Sequence, residues 1–146
     1  MIKKWPTFKR GGTNDKFWKE TYEKYGTCIK DLTKFNTINK YYKNTMDLYD
    51  KYKMKEILAN GDSPVTPSIT KKYILSDVTS ALNKGLGVNP AVYCVEKDNE
   101  QYLWEIRMCF NKKLKAINCG TSHENGDKCD SEKKISYPKF PPLVIG

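Results

Sequence analysis

Apolar positions follow a helical period through the first half of the chain and a two-residue period after residue 90. Lys16 to Lys24 is dense in aromatic and charged residues and is compatible with a helix. The stronger pattern covers residues 34–58. There Ile38, Tyr42, Met46 and Tyr49 recur at helical spacing, and Tyr41, Leu48 and Tyr52 widen the stripe, which predicts one helix from Lys34 to Leu58 with that stripe in a core. Asn60-Gly61-Asp62, then Pro64 and Pro67, end it. Ser76 is a good N-cap for a further helix burying Val78, Ala81 and Leu82, stopped by Gly85, Gly87 and Pro90. Beyond it the period changes. Ala91 to Glu96 reads as a strand and Lys97 to Glu100 as a turn. Tyr102, Trp104, Ile106, Met108 and Phe110 then alternate with Leu103, Glu105, Arg107 and Cys109, and Leu114 to Cys119 offers the next strand. The final segment, Pro141-Pro142-Leu143-Val144-Ile145-Gly146, is excluded as a central strand by its prolines. Helices first and an antiparallel meander later predict an α+β domain.

With 146 residues, 38% hydrophobic and 12% aromatic, the chain has material for one domain with a core, and the aromatics argue against disorder. Charge changes the picture more. The formal net charge is +9, which favours anionic partners such as nucleic acid, although a merely solvated basic surface accounts for the same number. Arg10 and Arg107 are the only arginines; the other basic residues are lysines, mobile point charges suited to phosphate attraction rather than bidentate reading of bases. No stretch approaches the roughly 18 apolar residues of a membrane span, so no membrane partner is expected. Met1 to Arg10 is basic with no apolar run after it, so no signal peptide is expected within this sequence.

Five cysteines are present, and four of them, Cys94, Cys109, Cys119 and Cys129, lie late in the chain among turn residues. That clustering reads as a disulfide-stapled region from an oxidising compartment, with the isolated Cys28 left unpaired. A zinc site from Cys109, Cys119, His123 and Cys129 is the alternative, although the spacing lacks the short knuckles of structural zinc sites.

One segment carries recognisable chemistry. Phe17-Trp18-Lys19-Glu20-Thr21-Tyr22-Glu23-Lys24-Tyr25-Gly26-Thr27-Cys28 resembles the second active-site segment of ribonuclease T2 enzymes, F-W-x-H-E-W-x-K-H-G-T-C, and keeps Phe17, Trp18, Lys24, Gly26, Thr27 and Cys28. Further matches follow in register. Lys4-Trp5-Pro6 resembles the last three positions of K-x-W-P, Tyr73 to Val78 resembles Y-x-L-S-D-I, and Gly87 to Cys94 resembles G-x-x-P-x-x-C with one residue more between proline and cysteine. Leu103-Trp104-Glu105-Ile106 leading to Cys109-Phe110 resembles L-x-E-I-x-x-C-F. The chain is thus similar to the C-terminal part of a ribonuclease T2 family member, with the plant S-ribonuclease branch as the best match. The resemblance implies an α+β fold with helices packed on an antiparallel sheet, and N-terminal strands lying outside this sequence. It also implies disulfides Cys94–Cys129 and Cys109–Cys119, an upstream partner for Cys28, an extracellular or vacuolar location and no cofactor.

The departures are concentrated on the catalytic positions. The family cleaves RNA by attack of the ribose 2′-hydroxyl on phosphorus, giving a 2′,3′-cyclic phosphate. That reaction needs a base and an acid titrating near neutrality, with a glutamate and a lysine stabilising the phosphorane. One family histidine lies in an H-G-L-W-P segment that this sequence does not hold. The histidine before Gly26 is here Tyr25, and a phenol, ordinarily titrating near ~10, is a poor base. The family glutamate is Thr21, the first histidine of the motif is Glu20, and Lys24 alone is retained. His123, the sole histidine, matches no catalytic position. Three readings follow: a non-cleaving family member with weak electrostatic RNA binding, a residual endoribonuclease using Glu20 as base and Lys24 as stabiliser, or a reserve protein without a ligand.

Overall fold

The computed structural model describes residues 5–7, 11–120 and 129–139, and the chain divides into two compact units, Met1–Lys53 and Met54–Gly146. His123 and the proline-rich final segment lie outside the described residues.

In the first unit, α1 spans Asn14–Tyr25. Thr13 caps it: its backbone is extended and its side chain accepts a hydrogen bond from the Lys16 amide. Asp15 in the first turn and Lys24 in the last both complement the helix dipole. A 3-10 turn, Gly26–Ile29, continues from it. The second helix, α2, spans Ile38–Tyr52, and Thr37 caps it in the same manner through the Lys40 amide. Its inward anchor is Tyr42, wholly buried, whose hydroxyl donates to the Trp18 carbonyl at 2.8 Å. The Trp5, Trp18 and Tyr41 rings surround it at centroid distances of 5.2, 6.2 and 5.1 Å.

The expected single helix over residues 34–58 is corrected here. It starts at Ile38 and stops at Lys53, whose φ of 21° and ψ of 56° break the ladder before α3, Met54–Ala59, begins. Tyr49, placed in the core stripe by its spacing, is instead 72% exposed.

The second unit holds α3, α4 (Leu75–Leu86) and the strands β1 (Lys72–Tyr73), β2 (Ala91–Lys97), β3 (Glu100–Arg107), β4 (Cys109–Phe110), β5 (Ala116–Ile117) and β6 (Ile135–Ser136). Val78, Ala81 and Leu82 are buried on α4 as the pattern predicts. The helix begins two residues earlier than expected: Ile74 is the N-cap and makes no side-chain bond, so Ser76 lies inside the first turn. At the other end Gly87 takes φ 68° and its amide donates to the Asn83 carbonyl, a left-handed cap that glycine adopts without steric cost.

One sheet has the order β1-β6-β3-β2, and β4 and β5 form a separate pair. β2 and β3 are a tight hairpin. Lys97 pairs with Glu100, and Asp98 and Asn99 between them both have positive φ, as a two-residue turn of matching twist requires. The sheet is antiparallel-dominated, as expected, with one departure from a meander: β3 and β6 run parallel, and the strand β6 returns from the far end of the chain. The long alternating strand is also interrupted: β3 ends at Arg107 and β4 resumes at Cys109 with a different partner, and only Ala116–Ile117 of the expected strand over residues 114–119 forms.

The core of this unit joins α4 to the inner sheet face. Val78 and Leu82 meet Val92, Cys94, Ile135 and Tyr73, with Leu103 and Ile106 packed against them. Each fully buried aliphatic side chain there contributes about 1.5–3 kcal/mol. Gln101, only 3% exposed, is satisfied by backbone: its amide nitrogen donates to the Asp130 and Lys133 carbonyls and its oxygen accepts from the Asp130 amide. Disulfides join Cys94 to Cys129 and Cys109 to Cys119, and Cys28 is free and exposed. The zinc alternative is therefore overturned, since its three cysteines carry no thiolate.

Candidate nucleic-acid site on the first helix

Glu20, Thr21, Lys24 and Tyr25 all lie on α1, so one helix presents the four candidate catalytic positions, while Gly26, Thr27 and Cys28 of the resembling motif lie on the 3-10 turn that follows. Their environments differ. Thr21 is turned into the helix, its hydroxyl donating to the Phe17 carbonyl at 2.8 Å. It also lies against the Tyr42 phenol. Burial pushes that phenol's pKa up, the Thr21 hydroxyl opposes the rise, and Tyr41 adds to it. Thr21 thus serves internal packing and carries no charge for a phosphate to meet.

Tyr25 is 55% exposed, and the Lys24 ammonium sits 5.0 Å from its ring centroid. A cation over an exposed ring is worth about 0.5–1 kcal/mol, enough to bias the lysine but too little to prevent it from reaching a phosphate. Tyr41 lies close by: burial raises its pKa, and the neighbouring Tyr25 raises it further. Tyr22 packs edge-on against Tyr41 at 5.4 Å, and its hydroxyl points to the Phe35 carbonyl. Where the family motif has its histidine, this protein has an aromatic cluster.

Glu20 is exposed, and the Lys16 ammonium lies 3.9 Å from its carboxylate, an exposed pair worth about 0–1 kcal/mol. It also lines a cavity of about 330 Å³ together with Thr7, Gly11, Gly12, Thr13, Lys16 and Phe17. Sequence reasoning missed this cavity. Nothing in the spacing brings residues 7 and 20 together.

The retained motif residues have structural work here. The Trp18 indole donates to the Trp5 carbonyl at 2.8 Å, which ties the Trp-Pro segment to α1. Gly26 is buried, and a methyl group there would overlap the Tyr22 ring, so the motif's glycine is required by packing. Among the described residues no three His, Cys, Asp or Glu side chains converge as a metal site.

Comparison with known proteins agrees with this frame. Residues 1–119 match the model of the ribonuclease T2 family. The chain is 30% identical over 141 residues to ribonuclease Oy of Magallana gigas, covering 94% of this chain and 65% of that one. It is 32% identical over 139 residues to ribonuclease T2 of Sus scrofa, covering 92% and 66%. It thus spans about two thirds of the length of these relatives, and 52% of ribonuclease T2 of Danio rerio. Among solved structures, human RNase T2 superposes with a TM-score of 0.80 at 28% identity, over 94% of this chain and 68% of that one. RNase NT in complex with 5′-AMP gives 0.78 at 26% identity, over 96% and 66%. The similarities run across animal and plant proteins and single out no branch. In sequence and in fold, the chain belongs to the ribonuclease T2 family.

Proposed function

We propose that this chain binds single-stranded RNA weakly and electrostatically and does not cleave it. The observation that carries this reading is the substitution pattern on α1. Trp18 and Gly26 keep the helix and its following turn in place and Lys24 keeps its charge, while Thr21 and Tyr25 replace the groups that would move protons and stabilise the phosphorane. General acid and base groups are each worth roughly 10²–10⁴-fold in rate, so a lone lysine is far short of an enzyme. Attraction for RNA survives their loss, because it rests on the net charge of +9 rather than on any one group. The cavity beside Glu20 is of a size that admits a nucleotide base. RNase NT has been solved with 5′-AMP, which favours nucleotide chemistry for a relative built on this scaffold. Two disulfides favour an oxidising compartment, consistent with an extracellular or vacuolar location.

A second reading has a specific observation behind it. Glu20 and Lys24 are one helical turn apart, and Glu20 lines the cavity, so a carboxylate base and a phosphate-stabilising lysine share one face. That arrangement is a candidate residual endoribonuclease forming 2′,3′-cyclic phosphates.

Fluorescence anisotropy of a labelled single-stranded RNA tests the binding. Affinity should fall tenfold or more between 50 and 200 mM salt, on the scale of roughly 0.7 decades per decade of salt for each neutralised phosphate. No binding at the lower salt would leave the protein a reserve or structural one.

A further inference from the structure

The β4–β5 hairpin carries lysines that the site on α1 does not use. Between its strands runs Asn111-Lys112-Lys113-Leu114-Lys115, so three lysines fall within four residues. All three are exposed. Some lysines elsewhere lie beside an acid, as Lys72 does with Glu100, Lys84 with Asp62 and Lys133 with Glu96. Lys112, Lys113 and Lys115 have no acidic partner among the described residues.

The loop that holds them is fixed. The Asn111 side-chain oxygen accepts from the amides of Lys113 and Lys115 at 2.9 and 3.0 Å. The Leu114 amide donates to the Asn111 carbonyl, and the Asn111 amide to the Lys115 carbonyl. Leu114 itself takes φ 59°, the left-handed position that closes a three-residue hairpin loop. Below the loop, the Cys109–Cys119 disulfide clamps the two strands. The Cys119 amide donates to the Asn89 carbonyl and the Asn89 amide to the Asn118 side chain, which ties the hairpin's base to the segment before β2. A flexible basic loop would lose backbone entropy on meeting a polyanion; this one has already lost it.

We infer that this hairpin is a second, sequence-independent RNA contact that grips backbone phosphates through Lys112, Lys113 and Lys115. The inference rests on the RNA-binding reading above and adds a place to it. Lysines act on phosphate as point charges and read no base edge, so the contact favours the backbone of any single strand. The three unpaired ammonium groups supply the charge complementarity, and the turn supplies the fixed geometry.

The test compares two triple variants that lose the same charge. One is Lys112→Gln, Lys113→Gln, Lys115→Gln; the other is Lys30→Gln, Lys34→Gln, Lys134→Gln, at exposed lysines outside the hairpin. Binding of a single-stranded RNA is measured across a salt series for the parent and both variants. The hairpin variant should lower the slope of log affinity against log salt by about 2, from roughly 0.7 per lost phosphate contact, while the control changes it by less than about 0.5. Equal slope changes in the two variants would overturn the hairpin contact and leave general RNA binding standing. A parent that binds no RNA would overturn both.

Discussion

Tyr42→Ala should cost the first unit about 3–5 kcal/mol, and Tyr42→Phe only about 1 kcal/mol. Among the described residues of that unit, the buried hydrophobic side chains are Trp18, Phe35 and Tyr42, and Tyr42 is the least exposed of them. Its ring touches Trp5, Trp18 and Tyr41, so truncation removes the partner of three aromatic contacts at once. Its hydroxyl donates to the Trp18 carbonyl in a buried site beside the Thr21 hydroxyl, and Tyr42→Phe removes only these polar contacts while keeping the ring. A loss of this size is comparable to the whole stability of a small unit. Far-ultraviolet circular dichroism should therefore show loss of helix for the alanine variant and a modest shift in midpoint for the phenylalanine one. Equal, small effects would mean that Tyr42 is not the anchor.

The second large effect concerns the Cys94–Cys129 disulfide. The bridge closes a loop of 35 residues, for which loop-closure entropy gives about 4 kcal/mol; the Cys109–Cys119 bridge closes 10 residues and gives about 3 kcal/mol. Position sharpens the difference. Cys94 and Cys129 are both members of the second unit's core, beside Val92, Leu82 and Ile135, whereas Cys109 and Cys119 brace a surface hairpin. Cys94→Ala with Cys129→Ala should lower the urea midpoint substantially, and Cys109→Ala with Cys119→Ala should lower it less. The reverse order would show that the core of the second unit does not depend on its covalent link.

Local signals in the sequence are informative where one residue decides the geometry. Gly87 ends α4 because a left-handed cap suits glycine, and Asp98-Asn99 turns the hairpin because both residues tolerate positive φ. Periodicity fails where the backbone breaks without breaking the pattern. Met54, Ile57 and Leu58 continue the apolar spacing of α2, so the turn at Lys53 leaves no mark in it. Strands of two residues, such as β1 and β6, are too short to show alternation, and the parallel pairing of Gln101 with Ile135 is a contact between distant segments. The bulge between Tyr93 and Cys94 was equally silent; it leaves Trp104 unpaired and 72% exposed in the middle of β3. At the candidate site, residue identities were legible from the motif. The cavity at Glu20 was not, because it depends on where residues 7 and 11–13 are placed against α1.

Cleavage of RNA tests most directly the proposal that the scaffold persists here without catalytic turnover. A labelled single-stranded RNA incubated with excess purified protein at low salt, then resolved on a denaturing gel, should remain intact, with no 2′,3′-cyclic phosphate ends above the protein-free control. Cleavage by the parent that disappears in Glu20→Gln would contradict the account and make Glu20 and Lys24 a working catalytic pair.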